Sequence, residues 1–369
     1  MNPDVAIVGG GIVGAACADA CAAAGLCVVV VEHGVEGGGA TGAGMGHLTV
    51  MDDSEAQFAL TRCSVDLWNR LGPELPANVE YTPCGTLWVA ADEEEMGWVR
   101  RKHAWHADRG LRTEILDAAA LTEAEPNLRR GLAGALRVPC DSVIYQPAAT
   151  RFLLDRSRAG IVRVRATAIG EGSVRLADGG QLSAGAVVNA AGVDAPRLTP
   201  GIEIEPRKGH LLITDRLRGF ARHQLVELGY LKSAHGSRGD SVAFNLQPRA
   251  TGQLLIGSSR QMGATGPEVE PRMLSWMLRR AVEFMPALRS LPAIRAWTGF
   301  RPCTPDNLPY IGLAPGARSI YVAAGHEGLG IATSLATGLL IAAAIAGGPT
   351  PVPPAPYDPA RKAAHAHSH

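Results

Sequence analysis

Residues 4–32 read DVAIVGGGIVGAACADACAAAGLCVVVVE. This stretch predicts a buried strand, a glycine turn, an alanine-rich helix and a second strand that ends at Glu32. An ADP moiety explains each glycine: Gly9 permits the tight turn, Gly11 lets backbone N–H groups approach a pyrophosphate, and Gly14 lets the helix pack on the sheet. Glu32, eighteen residues after Gly14, can accept hydrogen bonds from the ribose. Because these parts occur together, they favour a dinucleotide site over a plain glycine turn.

The overall composition is that of a globular protein with no particular charge. The chain has 369 residues, of which 46% are apolar and 19% charged, and its length allows two domains. Thirty-five basic residues balance thirty-five acidic ones. We therefore expect no nucleic-acid partner and no attraction to an anionic membrane surface.

The spacing of the cysteines and the apolar runs indicate in which cellular compartment the protein is expected. Seven cysteines include no CxxC pair, so neither an iron–sulfur site, a zinc site nor a disulfide framework is predicted. No secretory signal is recognisable, and we expect a cytoplasmic protein. Leu329 to Ala346 is nearly as long as a membrane span, but its many small residues favour a buried helix.

Two histidine groups have simpler explanations than metal binding. Trp98, His103, Trp105 and His106 fall on a predicted helix, and mixed packing on a half-exposed helix is favoured over a metal or stacking role. The terminal histidines follow a proline-rich run and predict a solvated tail: His365, His367 and His369.

Periodicity and turn residues predict the other elements. Helices are expected at Glu55–Leu71, Glu93–Arg109, Ala118–Glu125, Tyr145–Ala159 and Pro271–Met285. Strands are expected at Thr86–Ala90, Ile161–Arg165, Val174–Leu176, Ala186–Asn189, Leu211–Thr214, Leu228–Leu231, Val242–Asn245, Leu254–Gly257 and Ile320–Ala324. The strands after residue 209, separated by turn-forming glycines, predict an antiparallel sheet of their own.

Four motifs carry a resemblance that covers almost the whole chain. They are the glycine turn with Glu32, VNAAG at 188–192, GFRPCTPDNLPYIG at 299–312 and AGHEGLG at 324–330. In this order they resemble the D-amino-acid oxidase type of FAD-dependent oxidoreductase, the family that includes glycine oxidase and sarcosine oxidase. The resemblance implies an amino-acid dehydrogenase or oxidase.

Two further segments narrow the resemblance. GMGHLTVMDD at 44–53 and CGTLWVA at 84–90 are most similar to the flavin β subunits of multi-subunit dehydrogenases, which act on D-hydroxyproline, opines or glycine. Of these, the D-hydroxyproline dehydrogenase β subunit is the most similar. The likeness implies α and γ electron-transfer subunits with iron–sulfur clusters, and membrane association only through such partners.

The resemblance also implies the domain organisation. An α/β fold is expected, in which a Rossmann-like FAD-binding domain carries an inserted antiparallel-sheet α+β substrate domain. The FAD-binding domain would comprise residues 1–78, 140–205 and 297–350. The substrate domain would comprise 79–139 and 206–296, and a tail would follow from 351 to 369.

A non-covalent FAD is expected from the same family. The glycine turn near 325–330 would direct the N–H groups of a helix head at the flavin N1/C2=O region, where negative charge develops on reduction. His326 would add a donor there or pack against backbone. The expected cofactor contacts are Gly9, Gly11, Ile12, Val13, Gly14, Glu32, Thr41, Gly46, His47, Leu48, Ala191, Gly192, Arg301, Gly325, His326, Gly328, Leu329 and Gly330.

Arg301 is expected to bind the substrate. In the family, the arginine before proline in this motif holds the substrate carboxylate, and a planar guanidinium suits a bidentate grip. The alternative is a structural pair with an acid such as Asp306. His47 is expected beside the substrate. Some sarcosine oxidases attach flavin to a cysteine near this motif, but Gly299 takes that position here, and Cys303 lies beyond it.

The sequence does not decide which residues of the predicted antiparallel sheet cover the substrate pocket. Tyr230, Lys232, Asn245 and Gln247 fall in the predicted antiparallel sheet, and periodicity does not decide which of them face inward.

The predicted reaction is oxidation of a Cα–N bond, with hydride transfer from a neutral amine to flavin N5 to give an imine. The favoured substrate is a D-imino acid such as cis-4-hydroxy-D-proline, with glycine, sarcosine and opines as alternatives. A pyridine-nucleotide–disulfide reductase would need a redox-active CxxxxC pair, and the sequence has none. A non-catalytic FAD subunit of a larger assembly is the third hypothesis.

Overall fold

The structure, a computed structural model, describes residues 2–229 and 239–361. Tyr230, Lys232 and the terminal histidines lie outside these ranges. The opening stretch forms the predicted elements: β1 (Val5–Val8), α1 (Ile12–Ala23) and β2 (Val28–Val31).

The described residues contain further helices and strands as follows. The helices are α2 (Ala40–Ala43), α3 (Glu55–Leu71), α4 (Glu93–Asp108), α5 (Ala118–Ala124), α6 (Gln146–Ser157), α7 (Ala195–Leu198), α8 (Pro271–Phe284) and α9 (Gly330–Ala346). The strands are β3 (His47–Leu48), β4 (Thr86–Ala90), β5 (Glu114–Asp117), β6 (Gly134–Val138), β7 (Ser142–Val143), β8 (Gly160–Val162), β9 (Ala166–Gly170), β10 (Ser173–Leu176), β11 (Gln181–Ser183), β12 (Ala186–Asn189), β13 (Glu205–Thr214), β14 (Gln224–Glu227), β15 (Ser241–Pro248), β16 (Leu254–Met262), β17 (Ala293–Cys303), β18 (Tyr310–Leu313) and β19 (Ile320–Ala324).

A sheet in the order β18-β19-β12-β1-β2-β8 positions the glycine turns. β1 lies between β12 and β2, and β19 lies beside β12, all in parallel. The carboxyl ends of β1, β12 and β19 therefore meet at one edge, where ligands bind to open α/β sheets. The turns at 9–14, 190–192 and 325–330 follow these three strands, so segments far apart in sequence converge.

α1, which follows the turn at 9–14, and α9, which follows the turn at 325–330, pack closely on each other. A Cβ atom on Gly338 of α9 would lie 2.7 Å from the carbonyl carbon of Ala16 in α1. Small residues are therefore required where α9 crosses α1, which explains why this nearly uncharged run is rich in them. Within the described ranges, no helix is long and apolar enough to cross a membrane.

The second large sheet has the order β17-β13-β16-β15-β14-β4-β6-β5 among the described residues. The prediction that it is antiparallel is wrong at one place, because β14 pairs with β4 in parallel. These strands are not joined by a hairpin: the chain passes through the other sheet between them. β17 runs across the predicted boundary at 296/297. The division into an FAD-binding and a substrate domain stays a prediction.

Two strand predictions were misplaced. A strand forms at 224–227, before the one expected at 228–231, because polar Gln224 and Glu227 are buried and hydrogen-bonded: Glu227 Oε1 accepts from Phe244 N–H at 2.9 Å. Leu228 and Gly229 form a turn, and residues 230 and 231 lie outside the described ranges. The strand expected at 161–165 ends at Val162, where Arg163 turns outward to Glu36 at 2.6 Å.

Candidate active site

A cavity of about 2170 Å³ lies between the edge of the six-stranded sheet and one face of the eight-stranded sheet. It exceeds the ~300–1,000 Å³ of an ordinary small-molecule pocket, which leaves room for a dinucleotide and a substrate together. All the predicted cofactor contacts line it except three, namely Gly14, Gly46 and Leu48.

The first turn has the close approaches that require glycine. Gly9 has φ +113°, and a Cβ atom on it would lie 2.8 Å from the carbonyl carbon of Ala190. A Cβ atom on Gly14 would lie 3.1 Å from the carbonyl carbon of Gly9 and closer still to its oxygen. Gly14 therefore does not face the cavity but lets α1 start close to the sheet. The N-cap residue Gly11 has no side chain to cap α1, and only the Ile12 N–H is taken up, by Thr41, so the next N–H groups of the first turn are available to a phosphate.

Glu32 and Thr41 brace this turn. Glu32 Oε2 accepts from Gly10 N–H at 2.8 Å, and Oε1 accepts from Gly34 N–H at 2.7 Å. Each carboxylate oxygen has a second lone pair, which a ribose hydroxyl can use. Thr41 Oγ1 accepts from Ile12 N–H at 3.1 Å and so ties the glycine-rich loop to the helix.

The third turn brings the head of α9 to the cavity. Gly325 has φ +83°, and α9 begins at Gly330 without a side-chain cap. His326 is buried, and its Nε2 lies 3.0 Å from Oγ1 of Thr337, eleven residues later in α9. Burial lowers the pKa of His326 to about 3, so the ring is neutral near pH 7.

Arg301 lies on β17 between two glycines. A Cβ atom on Gly209 would lie 2.9 Å from Cζ of Arg301, and one on Gly328 would lie 3.4 Å from its Nε. Nη1 donates to the Ser259 carbonyl oxygen at 3.1 Å. The guanidinium therefore lies beside the third turn, on the wall of the cavity.

The alternative partner for Arg301 is engaged elsewhere. Asp306 binds Arg361, with its Oδ2 2.8 Å from Nε. Among residues 2–229 and 239–361, no carboxylate lies within ion-pair distance of Arg301.

Glu327 is an acid inside the third turn that sequence reasoning left without a role. Its Oε1 lies 3.2 Å from Arg207 Nη1 and 3.9 Å from Arg260 Nη2. Burial would raise the pKa of Glu327, but Arg260, Arg301 and Arg207 outweigh burial and lower it to about 2. Arg207 is opposite Arg301 in the strand register, so this ionised carboxylate offsets a like-charge pair.

The segment after α2 is clamped onto the eight-stranded sheet. Gly46 N–H donates to Gln247 Oε1 at 2.8 Å, and Gln224 Nε2 donates to Thr49 Oγ1 at 3.2 Å. A Cβ atom on Gly46 would lie 2.7 Å from the carbonyl carbon of Ile144. Gly46 therefore allows close packing rather than cavity contact.

His47 lines the cavity, as do Met45, Thr49 and Met51 of the same segment. Its Nε2 is buried without a hydrogen-bond partner among the described residues. Burial lowers the pKa of His47 to about 3, so the ring is a neutral group. Leu48, the next residue, points into the core and is fully buried. Asn245, one of the open roof positions, lines the cavity as well, whereas Gln247 is used by the clamp.

Neither position considered for flavin attachment offers a reactive thiol. A Cβ atom on Gly299 would lie 2.5 Å from Cβ of Ala43, so a larger residue would not fit there. Cys303 is buried, and burial, assisted by Glu327, raises the pKa of its thiol to about 12. A protonated thiol is a poor nucleophile.

Three residues near Arg301 were missed by sequence reasoning: Gly209, Arg207 and Glu327. Glu327 stands inside a quoted motif, and its unusual φ of +50° is a signal only in the structure. Gly209 and Arg207 belong to a strand whose pairing with β17 the sequence does not reveal.

The residues fit an FAD. Three turns supply close backbone approach, two uncapped helix heads supply donors for phosphate and for developing negative charge, and Glu32 is in place for a ribose. The cavity has the size for the whole group.

Known proteins share this arrangement. The family model described as DAO, FAD dependent oxidoreductase, matches residues 4–344. Glycine oxidase of Geobacillus kaustophilus is 29% identical over 354 residues, which cover 92% of this chain and 92% of that protein. Its crystal structure aligns with a TM-score of 0.87 at 28% identity, over 98% of this chain and 99% of that chain. Hydrogen cyanide synthase subunit HcnC of Pseudomonas protegens is 28% identical over 315 residues, 79% of this chain and 70% of that protein.

Proposed function

The chain belongs to the DAO family of FAD-dependent oxidoreductases, which act on amino acids, and from this we propose that it oxidises the Cα–N bond of D-hydroxyproline or D-proline to the imine. FAD is its cofactor, and we propose that it is bound without a covalent link. FAD, when bound, accepts the hydride that leaves Cα.

One observation carries this proposal: a guanidinium on the cavity wall that forms no ion pair with any carboxylate of the described residues. Arg301 is fixed by the Ser259 carbonyl and by the glycines on both sides. A substrate carboxylate would supply the direct partner that Arg301 lacks, through a bidentate pair of hydrogen bonds. The amino acid would then be held beside the third glycine turn, with its α-carbon oriented towards the cofactor.

The other expected residues would act around this anchor. His47 would flank the substrate as a neutral ring, because it lines the cavity and burial keeps it uncharged. The N–H groups at the head of α9 would stabilise negative charge on the cofactor. His326, which is bonded to Thr337, would hold this helix head in place. The substrate amine would react in its neutral form, so no general base is required.

The choice of a D-imino acid rests on the segments 44–53 and 84–90. Both contribute to the cavity wall, through His47, Met51, Asp52 and Trp88 among others. Their likeness to D-hydroxyproline dehydrogenase β subunits favours that substrate. The similarity to a subunit of hydrogen cyanide synthase supports our proposal that α and γ partners with iron–sulfur clusters complete the enzyme.

A second candidate is a glycine or sarcosine oxidase, favoured by the full-length similarity to glycine oxidase. The opine and cyanide-forming flavin subunits are a further variant of the same chemistry. A structural FAD subunit without activity is the non-enzyme alternative.

One experiment separates these candidates. The purified protein, loaded with FAD, is mixed without oxygen with cis-4-hydroxy-D-proline, D-proline, glycine, sarcosine and an opine, and the flavin absorbance is followed. We expect bleaching to be fastest with the D-imino acids. Faster bleaching by glycine or sarcosine would select the second candidate, and no bleaching by any of them would select the structural subunit.

The same assay tests Arg301. We expect Arg301→Leu to lower the second-order rate of bleaching by about 10²-fold or more, because a charge-assisted bidentate pair is lost, with FAD content near normal. Arg295→Leu, on the exposed part of the same strand, is the matched control. Unchanged bleaching in Arg301→Leu would remove this residue from the substrate site.

A further inference from the structure

An ion pair on the cavity wall takes no part in the proposed binding of the substrate carboxylate. It joins Arg207 Nη1 to Glu327 Oε1 at 3.2 Å, and both residues line the cavity. Their side chains are 18% and 11% exposed, so the pair is largely withdrawn from bulk water without being sealed off. A ligand in the cavity therefore meets a charged hydrogen-bond donor and a charged acceptor side by side.

This ion pair lies beside the substrate anchor. Arg207 is opposite Arg301 in the strand register. The guanidinium of Arg301 lies over Gly209, and Arg207 is two residues earlier on the same strand, so its side chain leaves the same face about 7 Å away. Glu327 N–H donates to the carbonyl oxygen of Pro302, the residue after the anchor, at 2.8 Å. The anchor and the ion pair are therefore close enough to hold one small ligand together.

Both partners of the ion pair keep hydrogen-bonding capacity for a ligand. Glu327 Oε1 also accepts from the Cys303 thiol at 3.7 Å, whereas Oε2 accepts from the Gly328 N–H. A carboxylate oxygen has two lone pairs, so Oε2 can accept one more hydrogen bond. Arg207 uses Nη1 for the ion pair and Nε for the sulfur of Met262, at 3.1 Å. Among the described residues, the N–H groups on its Nη2 have no partner.

A hydroxyl group suits this arrangement. It donates one hydrogen bond and accepts others, so it can donate to Glu327 and accept from Arg207 at the same time. Burial would raise the pKa of Glu327, but the three neighbouring guanidiniums lower it to about 2, so the acceptor is ionised near pH 7. Both hydrogen bonds to the hydroxyl would therefore be charge-assisted, and an uncharged group leaves the ion pair intact.

We propose that Arg207 and Glu327 bind the ring hydroxyl of a hydroxylated cyclic imino acid and so select it over the unsubstituted ring. In 4-hydroxyproline, four bonds of ~1.5 Å join the carboxyl carbon to the hydroxyl oxygen, so the two groups lie within about 5 Å of each other. With a hydrogen bond of ~2.9 Å at each end, the molecule is long enough to reach from Arg301 to the ion pair. The inference rests on the proposed function, because that function places the substrate carboxylate on Arg301.

A second substrate carboxylate is the rival occupant of this subsite. Arg260 Nη2 lies 3.9 Å from Glu327 Oε1, so three guanidiniums, with Arg301 and Arg207, surround one carboxylate. The two occupants respond in opposite ways to the loss of the negative charge at position 327. Glu327→Gln deprives a hydroxyl of an ionised acceptor and weakens its binding, whereas it frees an anion from repulsion and strengthens its binding.

The test compares two substrates that differ only in the hydroxyl group. cis-4-Hydroxy-D-proline and D-proline are each mixed without oxygen with the FAD-loaded protein, and stopped-flow bleaching gives a rate of reduction and a dissociation constant. We expect the ratio of rate to dissociation constant to favour the hydroxylated ring by about 10-fold or more, the effect of hydrogen bonds to charged groups. Glu327→Gln and Arg207→Gln should each lower this preference at least about 5-fold, mainly through the dissociation constant. Changes at the shared carboxylate or at the cofactor affect both substrates and cancel in the comparison.

Glu283→Gln is the matched control. Glu283 forms the same kind of ion pair, with Arg280 Nη1 at 2.7 Å, but it lies on α8, outside the cavity. Its preference for the hydroxylated ring should stay within about 2-fold of that of the unaltered protein.

Binding is also measured without turnover. Tetrahydrofuran-2-carboxylate and its 4-hydroxy derivative carry an ether oxygen in place of the ring nitrogen, so no Cα–N bond is present to be oxidised. The change that each causes in the flavin absorbance gives its dissociation constant. The hydroxylated ligand should bind more tightly to the unaltered protein, and this difference should shrink in Glu327→Gln and Arg207→Gln but not in Glu283→Gln.

The outcomes separate the inference from the proposed function. A preference for the hydroxylated compounds that is absent, or that persists unchanged in Glu327→Gln and Arg207→Gln, would overturn the inference. So would faster bleaching by D-glutamate than by cis-4-hydroxy-D-proline, with a further gain in Glu327→Gln, because the subsite would then hold a second carboxylate. Bleaching by no amine at all would overturn the proposed function, and the binding of the two ether ligands would still decide the inference.

Discussion

A Cβ atom on Gly209 would lie 2.9 Å from both Cζ and Nη2 of Arg301, so the guanidinium occupies the space that a side chain at position 209 would fill. The two residues are not direct partners in the register, because Arg301 is opposite Arg207 and Gly209 is opposite Gly299. Arg301 therefore extends along the neighbouring strand over the glycine. The glycine makes the position of the substrate anchor possible.

Gly209→Ala should displace Arg301 without removing its charge. The added methyl group meets the end of a flexible side chain rather than backbone, so the fold should remain and the guanidinium should move. We expect the dissociation constant of a carboxylate substrate to rise about 10- to 100-fold, the range for losing a charge-assisted bond of ~1.5–3 kcal/mol. Anaerobic bleaching against substrate concentration measures it.

Gly160→Ala is the control for that variant. Gly160 is exposed on β8, and its Cβ atom would make an ordinary contact of 3.5 Å with Val29. Equal substrate affinity in Gly209→Ala and Gly160→Ala would mean that the guanidinium position is not set by Gly209.

Much of the nucleotide site could be predicted because its signals are local. The turn from Gly9 to Gly14, the acid Glu32 and the small-residue run in α9 are each readable within about thirty residues. Parallel strands buried on both faces leave continuous apolar runs, so β1, β2, β12 and β19 were found. The antiparallel prediction failed at β14, because its parallel partner β4 comes from a segment more than a hundred residues earlier.

The substrate side could be predicted only where a motif carried it. Arg301 stands in such a motif, but Gly209 and Arg207 become part of the site only through the pairing of β13 with β17. Glu327 was visible in the sequence, yet its burial between arginines depends on three strands that meet there. Trp98 and Trp105 of α4 have a helical spacing that equally suits plain packing, and only the tertiary structure shows that they line the cavity.

Glu32→Gln should weaken FAD binding. The glutamine amide keeps one acceptor oxygen and replaces the other with an NH₂ group. One of the two hydrogen bonds from the Gly10 and Gly34 N–H groups is therefore lost, and that N–H then faces another donor. We expect the FAD dissociation constant to rise about 10-fold, corresponding to ~1.4 kcal/mol, measured by fluorescence titration of the apoprotein. Glu36→Gln is the control, because Glu36 pairs with Arg163 outside the cavity. An unchanged dissociation constant in Glu32→Gln would contradict the assignment of the ribose site.

His326 should make the stability depend on pH. Burial lowers its pKa to about 3 in the folded protein, against about 6.5 when unfolded. The unfolded state therefore binds more protons between these values, and the contribution is present above pH 6.5 and lost as the pH falls below it. Between pH 7.5 and 5.5, the free energy of unfolding should fall by about 1.4 kcal/mol more in the unaltered protein than in His326→Gln.

Chemical denaturation of FAD-saturated protein at the two pH values gives this difference. His33→Gln is the control, because the side chain of His33 is half exposed beside Glu32. If His326→Gln and the unaltered protein lose the same stability between pH 7.5 and 5.5, His326 is not buried as a neutral ring.

Gly338→Ala should lower both thermal stability and FAD retention. Its Cβ atom would lie 2.7 Å from the carbonyl carbon of Ala16, and backbone cannot yield as a side chain does, so α1 and α9 must separate. Overpacking of this kind costs about 1–3 kcal/mol, which exceeds the gain of up to ~1 kcal/mol in helix propensity. Because α1 starts at the pyrophosphate turn and α9 starts at the flavin turn, their separation also moves the two ends of the FAD site apart.

Gly97→Ala in α4 is the control, because it has the same gain in helix propensity and its Cβ atom would meet only the end of Arg101, at 3.7 Å. The melting temperature of Gly97→Ala should therefore rise or stay level, while that of Gly338→Ala falls. A melting temperature and FAD content that change alike in the two variants would show that the α1–α9 contact tolerates a methyl group and does not set the geometry of the site.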